Sequence, residues 1–196
     1  MKALLALSGS IDALNRRIGK ATSWLILVAV LVSTGNAIVR YTLDTSSNAW
    51  LEIQWYLFSF VFLFCAGYTL LDNQHVRIDI ITSNFSKRIQ TWIEILGTIF
   101  FLMPMAIAIM WLSWPVFLDA YRSSEVSANA GGLPVWPGRL MLPVGFLLLI
   151  LQGFSELIKR FAFLQGLIPD PSEKNDGPTP EELLAAELRR ERGEAA

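Results

Sequence analysis

The sequence holds a single cysteine, Cys65, and a single histidine, His75. One cysteine excludes an internal disulfide and any cysteine-rich metal site. Cys65 lies in an apolar run and reads as a small packing residue. One histidine supplies no ligand pair for a membrane haem, and zinc would need three or four convergent ligands. Glycine-rich phosphate loops, a nucleophile elbow and kinase-like signatures are all missing. No catalytic constellation is legible, so neither an enzyme nor a resident cofactor is expected. No basic stripe points to nucleic acid, and a formal net charge of -1 favours no partner.

Charge itself is missing from four long windows. Residues 21–39, 53–71, 95–118 and 140–155 contain no Asp, Glu, Lys or Arg. A helix rises about 1.5 Å per residue, so about 20 residues cross a hydrocarbon core about 30 Å thick. The first three windows reach that length. The fourth is shorter, but Arg139 and Glu156 stand at its edges, where charged heads reach the interface. A soluble bundle would give each helix an apolar stripe and a polar face, whereas residues 58–71 and 99–110 are apolar almost all round. The alternation of a membrane β-barrel is absent too. The expected fold is an all-α integral membrane protein with four transmembrane helices, at about 21–41, 50–71, 92–114 and 139–161. They make up a membrane domain over 21–163.

Around these spans the chain is patterned. In residues 1–20, Leu4, Leu7, Ile11, Leu14 and Ile18 recur at steps of three and four, with Asp12, Asn15 and Arg16 off that face. An amphipathic helix lying in the membrane interface fits, rather than a cleaved signal, because the apolar stretch is short and charges follow it. Trp24, Tyr41, Trp111 and Trp114 mark span ends, the depth that amphipathic rings favour. Pro104, in mid-span, predicts a kink. A polar, turn-rich loop is expected over 115–138, and Pro143 near the first turn of the last span is tolerated. Beyond Pro169 a charged tail, 164–196 in all, holds a capping signature at Thr179–Glu182.

Lys and Arg set orientation. Arg16, Arg17, Lys20, Arg77, Lys87, Arg88, Lys159 and Arg160 fall on one side, against Arg40, Arg122 and Arg139 on the other. Both termini and the 72–92 hinge are therefore expected in the cytoplasm. Carriers and pores place ionisable groups or unwound backbone near mid-membrane. Here Arg40, Glu52, Asp72 and Glu156 all lie at span edges, and no internal repeat is apparent. Gln152 and Asn36 are expected to make interhelical hydrogen bonds. In the hinge, His75, Arg77 and Asp79 suit either headgroup anchoring or a polar clamp on a partner. Arg40 and Glu52 allow a similar pair on the outer side. The physical reading is a subunit embedded in the lipid bilayer that supports another protein. A small autonomous multidrug exporter would need a mid-span carboxylate, and an oxidoreductase anchor would need a histidine pair.

Several stretches add more. Trp50-Leu-Glu52 with Trp55-Tyr56, Gly67-Tyr-Thr-Leu-Leu and His75-Val-Arg-Ile-Asp79 resemble the small membrane subunit, the DctQ-like component, of tripartite ATP-independent periplasmic (TRAP) transporters. Gly132-Leu-Pro-Val-Trp-Pro137, Leu142-Pro-Val-Gly-Phe146 and Gln152-Gly-Phe-Ser-Glu156 are similar to that family's last span. The likeness runs from about residue 15 to 160. It implies a bacterial inner-membrane protein that braces a large multi-span permease. That permease takes up an organic acid with sodium, delivered by a periplasmic solute-binding protein. Candidate partner contacts are Arg40, Glu52, His75, Arg77, Asp79, Arg122, Glu125, Gln152 and Glu156, with the outer loop 119–136 near the docked binding protein.

Overall fold

The computed structural model describes residues 1–45, 47–72 and 85–169. Four helices account for nearly all of them, each long and apolar enough to cross a membrane. Helix α1 runs Lys2–Leu43, 42 residues without a break. At about 1.5 Å per residue that is about 60 Å, twice a hydrocarbon core. The amphipathic segment 1–20 and the first span are thus one rod. It ends at Asp44, which takes a left-handed conformation with φ 48°.

Helix α2 is Asn48–Leu71. Helix α3 is Lys87–Arg122, interrupted by a π turn at Thr98–Leu102. The interruption has a local cause. Pro104 has no N–H for the Phe100 carbonyl, and its ring pushes that carbonyl aside. The ladder takes up the mismatch one residue earlier, where the Met103 N–H donates to the Thr98 carbonyl. Helix α3 then continues through Pro115 to Arg122. The expected loop start at 115 is therefore corrected: a second proline removes one donor without ending the helix. Helix α4 is Trp136–Leu164, with Pro137 in its first turn and Pro143 inside. The loop between α3 and α4 is shorter than expected, 123–135.

Helix α4 is the axis of the arrangement. In its most apolar window 44% of residues are buried, against 6–17% in the other three helices. It runs parallel to α2 at a nearly constant offset: Tyr56 lies on Gly138, Leu63 on Gly145 and Gly67 on the Leu148 carbonyl. A Cβ on Gly145 would stand 2.9 Å from the Leu63 carbonyl oxygen, so the missing side chain is what lets these two helices close. Small residues at contacts are how helices pack in lipid, where burial from water gives no drive. Helices α1 and α3 run antiparallel to α4. Ser8 meets Ser155 and Asn15 meets Gln152 on one flank. On the other, Trp92 meets Phe161 edge-on at 6.4 Å and Tyr121 meets Trp136 at 5.6 Å. A small apolar core of Met103, Ala106 and Ile150 joins α3 to α4. Large apolar side chains point outward: Phe62, Phe101 and Trp111 are each three-quarters exposed or more.

The Asp44 and 123–135 connections share one end of the assembly, called here the loop end. Asp12, Asp72, Lys87 and Lys159 lie at the other, the basic end.

Candidate functional site

Polar side chains gather at both ends, and each gathering is closed by the chain itself. At the loop end the organiser is Glu52, in the second turn of α2 and 4% exposed. Its Oε1 accepts from Ser127 Oγ at 2.5 Å and from Asn129 Nδ2 at 2.9 Å; its Oε2 accepts the Leu133 N–H at 2.7 Å. The loop is pre-shaped to deliver these donors. Ser127 N–H donates to Leu133 O and Val135 N–H to Glu125 O, which draws the two arms of the loop together. Gly131 turns the tip with φ 70°. Two more ties fasten the loop to α2: Asn48 Nδ2 donates to Ala130 O, and Tyr56 OH to Pro134 O. Arg139 grips Glu125 through both guanidinium nitrogens at 2.6 Å.

At the basic end the hub is Gln152, which is fully buried. Its Oε1 accepts from Asn15 Nδ2 at 2.9 Å; its Nε2 donates to Asp12 Oδ1 at 2.9 Å and to Glu156 Oε1 at 3.1 Å. Ser155 Oγ donates to Asp12 Oδ1 at 2.6 Å. Lys159 bridges the carboxylates of Asp12 and Glu156. Arg160 reaches across to Glu94 of α3, so the network spans three helices. Ser8 and Ser155 exchange hydroxyl contacts at 2.7 Å. Asn15 also packs on Gly67 of α2, where a Cβ would lie 2.5 Å from its Oδ1.

The sequence candidates are therefore redistributed. Glu52, Gln152 and Glu156 were offered as partner contacts; all three are turned inward, Glu52 under the 123–135 loop and the other two between helices, where their polar atoms find internal partners. Arg40 makes no pair with Glu52, whose lone pairs are already taken by the loop. It lies instead in an open groove between α1 and α2 with Ser33, Asn36 and Gln54. Asn36, expected to bond another helix, has no such bond among the described residues. Arg122 is exposed at the end of α3. Glu125 is held by Arg139. His75, Arg77 and Asp79 lie outside the described residues, as does the capping signature at Thr179–Glu182.

Sequence reading missed Ser8, Asp12, Asn15, Ser155 and the Glu94–Arg160 pair. A signal for the first three was present. Ser8, Asp12, Asn15, Gly19 and Thr22 step by four and three along one face of α1. Helix α4 answers with Gln152, Ser155 and Lys159. Polar and small residues at that period make a helix seam in lipid.

Among the described residues no three His, Cys, Asp or Glu side chains converge as a metal site. The carboxylates that do approach one another are already engaged by Lys159, Arg160 and amide donors. Chemically, both networks hold helices in fixed register.

No curated relative matches the chain. The family described as "Tripartite ATP-independent periplasmic transporters, DctQ component" matches it over residues 14–163. That match begins in α1 beside Asn15, takes in α2 and α3, and ends in the last turn of α4. This chain therefore belongs to the DctQ component family of the tripartite ATP-independent periplasmic transporters.

Proposed function

We propose that this chain is the non-catalytic frame of a sodium-driven importer in the bacterial inner membrane. It braces a large permease that moves an organic acid handed over by a periplasmic solute-binding protein. The family supports the assignment to such an assembly. One structural observation supports the division of labour. Among the described residues the charged side chains lie toward the two ends of the bundle, and the buried ones are engaged there by internal partners, so no charged group of this chain waits at mid-membrane for a solute. A solute that must shed water needs replacement partners at mid-membrane. The permease has to supply them.

In this reading the loop end faces the periplasm and both termini the cytoplasm, following the Lys and Arg bias. Leu4, Leu7 and Leu14, exposed on the side of α1 turned from α4, rest in the cytoplasmic interface. The hinge residues His75, Arg77 and Asp79 are assigned to the same side from the sequence alone, as headgroup anchors or as a clamp on the permease. The pinned 123–135 loop with Arg122 offers a fixed surface to the binding protein.

Reconstitution tests the proposal. Vesicles holding this chain alone should not accumulate organic acids under a sodium gradient. Vesicles that also hold its co-purified permease and the loaded binding protein should. Sodium-linked uptake by the chain alone would refute the frame assignment.

A further inference from the structure

Among the described residues most polar side chains within the spans are satisfied internally, the buried Asn15 Oδ1 apart; a further set, facing one groove, is not. The groove between α1 and α2, about 620 Å³, is lined by Ser33, Asn36, Ala37, Arg40 and Tyr41 of α1, by Asp44 at its rim, and by Leu51 and Gln54 of α2. Among the described residues, the side chains of Asn36, Arg40 and Gln54 have no hydrogen bond or ion pair. Their depth matters. Asn36 is seven residues before the end of α1 and Gln54 six after the start of α2. At about 1.5 Å per residue both amides sit roughly 10 Å inside the loop-end helix termini. With those termini at the membrane surface, as the proposed assembly places them, that is deeper than a headgroup layer of about 5–8 Å, where acyl chains can neither donate nor accept. Two amides therefore face one groove at one level, in a medium that penalises each of them unpartnered.

We infer that this groove receives a transmembrane helix of the large permease subunit. The helix would present hydrogen-bonding side chains level with Asn36 and Gln54, and an acceptor, a carboxylate or free helix carbonyls, to Arg40. The shape agrees with the chemistry. Ser33 and Ala37, four apart on the groove face, are small enough for a helix to approach the α1 backbone closely. The polar residues follow the helix axis over two turns, from Ser33 to Arg40, which suits a rod lying alongside. A lipid headgroup would engage Arg40 at the rim and leave both amides facing hydrocarbon. The inference rests on the proposed assembly with a permease and assigns the face that meets it.

The test uses the full chain co-expressed with its permease. A photoreactive residue replaces Ala37 or Tyr41 in the groove, or Phe101 or Trp111 on α3 as controls. Adducts with the permease are expected from the groove positions and not from the controls. A second variant, Asn36→Leu with Gln54→Leu, should insert and melt as the native chain does while the co-purifying permease falls about tenfold. Permease adducts from Phe101 or Trp111 alone would overturn the face while leaving the assembly intact. Groove adducts only with lipid, or with a second copy of this chain, would also overturn it, as would full co-purification of the double variant. If the unmodified chain brings down no permease at all, the parent reading fails, and this one with it.

Discussion

The Asn15–Gln152 hydrogen bond joins α1 to α4 where the apolar effect contributes nothing, so its removal should be measurable. Gln152→Met keeps the length of the side chain and removes its amide. The Asn15 amide then keeps only a 3.4 Å contact to the Ile11 carbonyl, and Asp12 and Glu156 each lose a donor. A buried polar group left without a partner costs about 1–3 kcal/mol, and interhelical hydrogen bonds in membranes contribute about 0.6 kcal/mol on average. Together these give a loss of about 2–3 kcal/mol for Gln152→Met. Asn15→Leu strands only the Gln152 oxygen and should cost about 1–2 kcal/mol by the same reasoning. The double variant strands neither partner of that bond. It should fall short of the sum by about 1 kcal/mol, inside the usual range for residues in contact. Equilibrium unfolding in mixed micelles, read by tryptophan fluorescence, provides all three values. Additivity within about 0.3 kcal/mol would mean that the two amides do not meet, and the α1–α4 register would have to be redrawn.

Other expectations follow from single contacts. Gly145→Leu places a side chain against the Leu63 backbone and should lower stability by at least 1–3 kcal/mol, the usual range for overpacking, whereas Gly35→Ala, with nothing within 4 Å, should be neutral or slightly stabilising; equal thermal shifts for the two would refute the close α2–α4 contact. Glu52→Ala removes the acceptors of the Leu133 N–H and of the Ser127 and Asn129 donors, so amide exchange at Leu133 should speed up, and unchanged exchange would show that the loop is shaped without Glu52. Arg122→Glu should weaken docking of the binding protein and spare permease co-purification; a flotation assay with the labelled binding protein reads this directly. Glu125 is the poorer probe, because reversing it also breaks the Arg139 pair.

Four spans were legible in the sequence because the bilayer imposes a length and a composition that few other constraints can mimic. The ends of the spans were less legible. Pro115 reads as a stop, yet a helix can carry it when lipid and neighbours leave no better place for the other backbone groups. Glu52 was offered to Arg40 or to a partner because its actual partners lie 75 to 81 positions away, in a loop whose turn geometry no periodicity announces. The α1 seam was written in the spacing but only half of it was read: the leucine face was assigned to the interface, and the polar face opposite was given no partner. In water, Ser8, Asp12 and Asn15 would mark the solvated face. Beside lipid the same residues mark the face turned inward, and the leucines mark the outside.

That inversion also separates two kinds of polar residue in a membrane subunit. Lipid offers no hydrogen bonds and no apolar drive between helices, so an isolated bundle is held by the polar and small-residue contacts it makes with itself. Gln152, Asp12 and Glu52 are of this kind: the fold is reason enough for them, and substituting them should disturb the chain before it disturbs any assembly. Asn36, Arg40 and Gln54 bind nothing among the described residues, so replacing them with apolar residues should leave the chain's own stability unchanged or raise it. A side chain whose removal improves the isolated subunit while weakening its complex is one retained for the complex. Measured on the same double variant, Asn36→Leu with Gln54→Leu, a melting temperature that falls as far as the co-purified permease does would place these amides with the structural group, and would leave the groove with no argument for a partner.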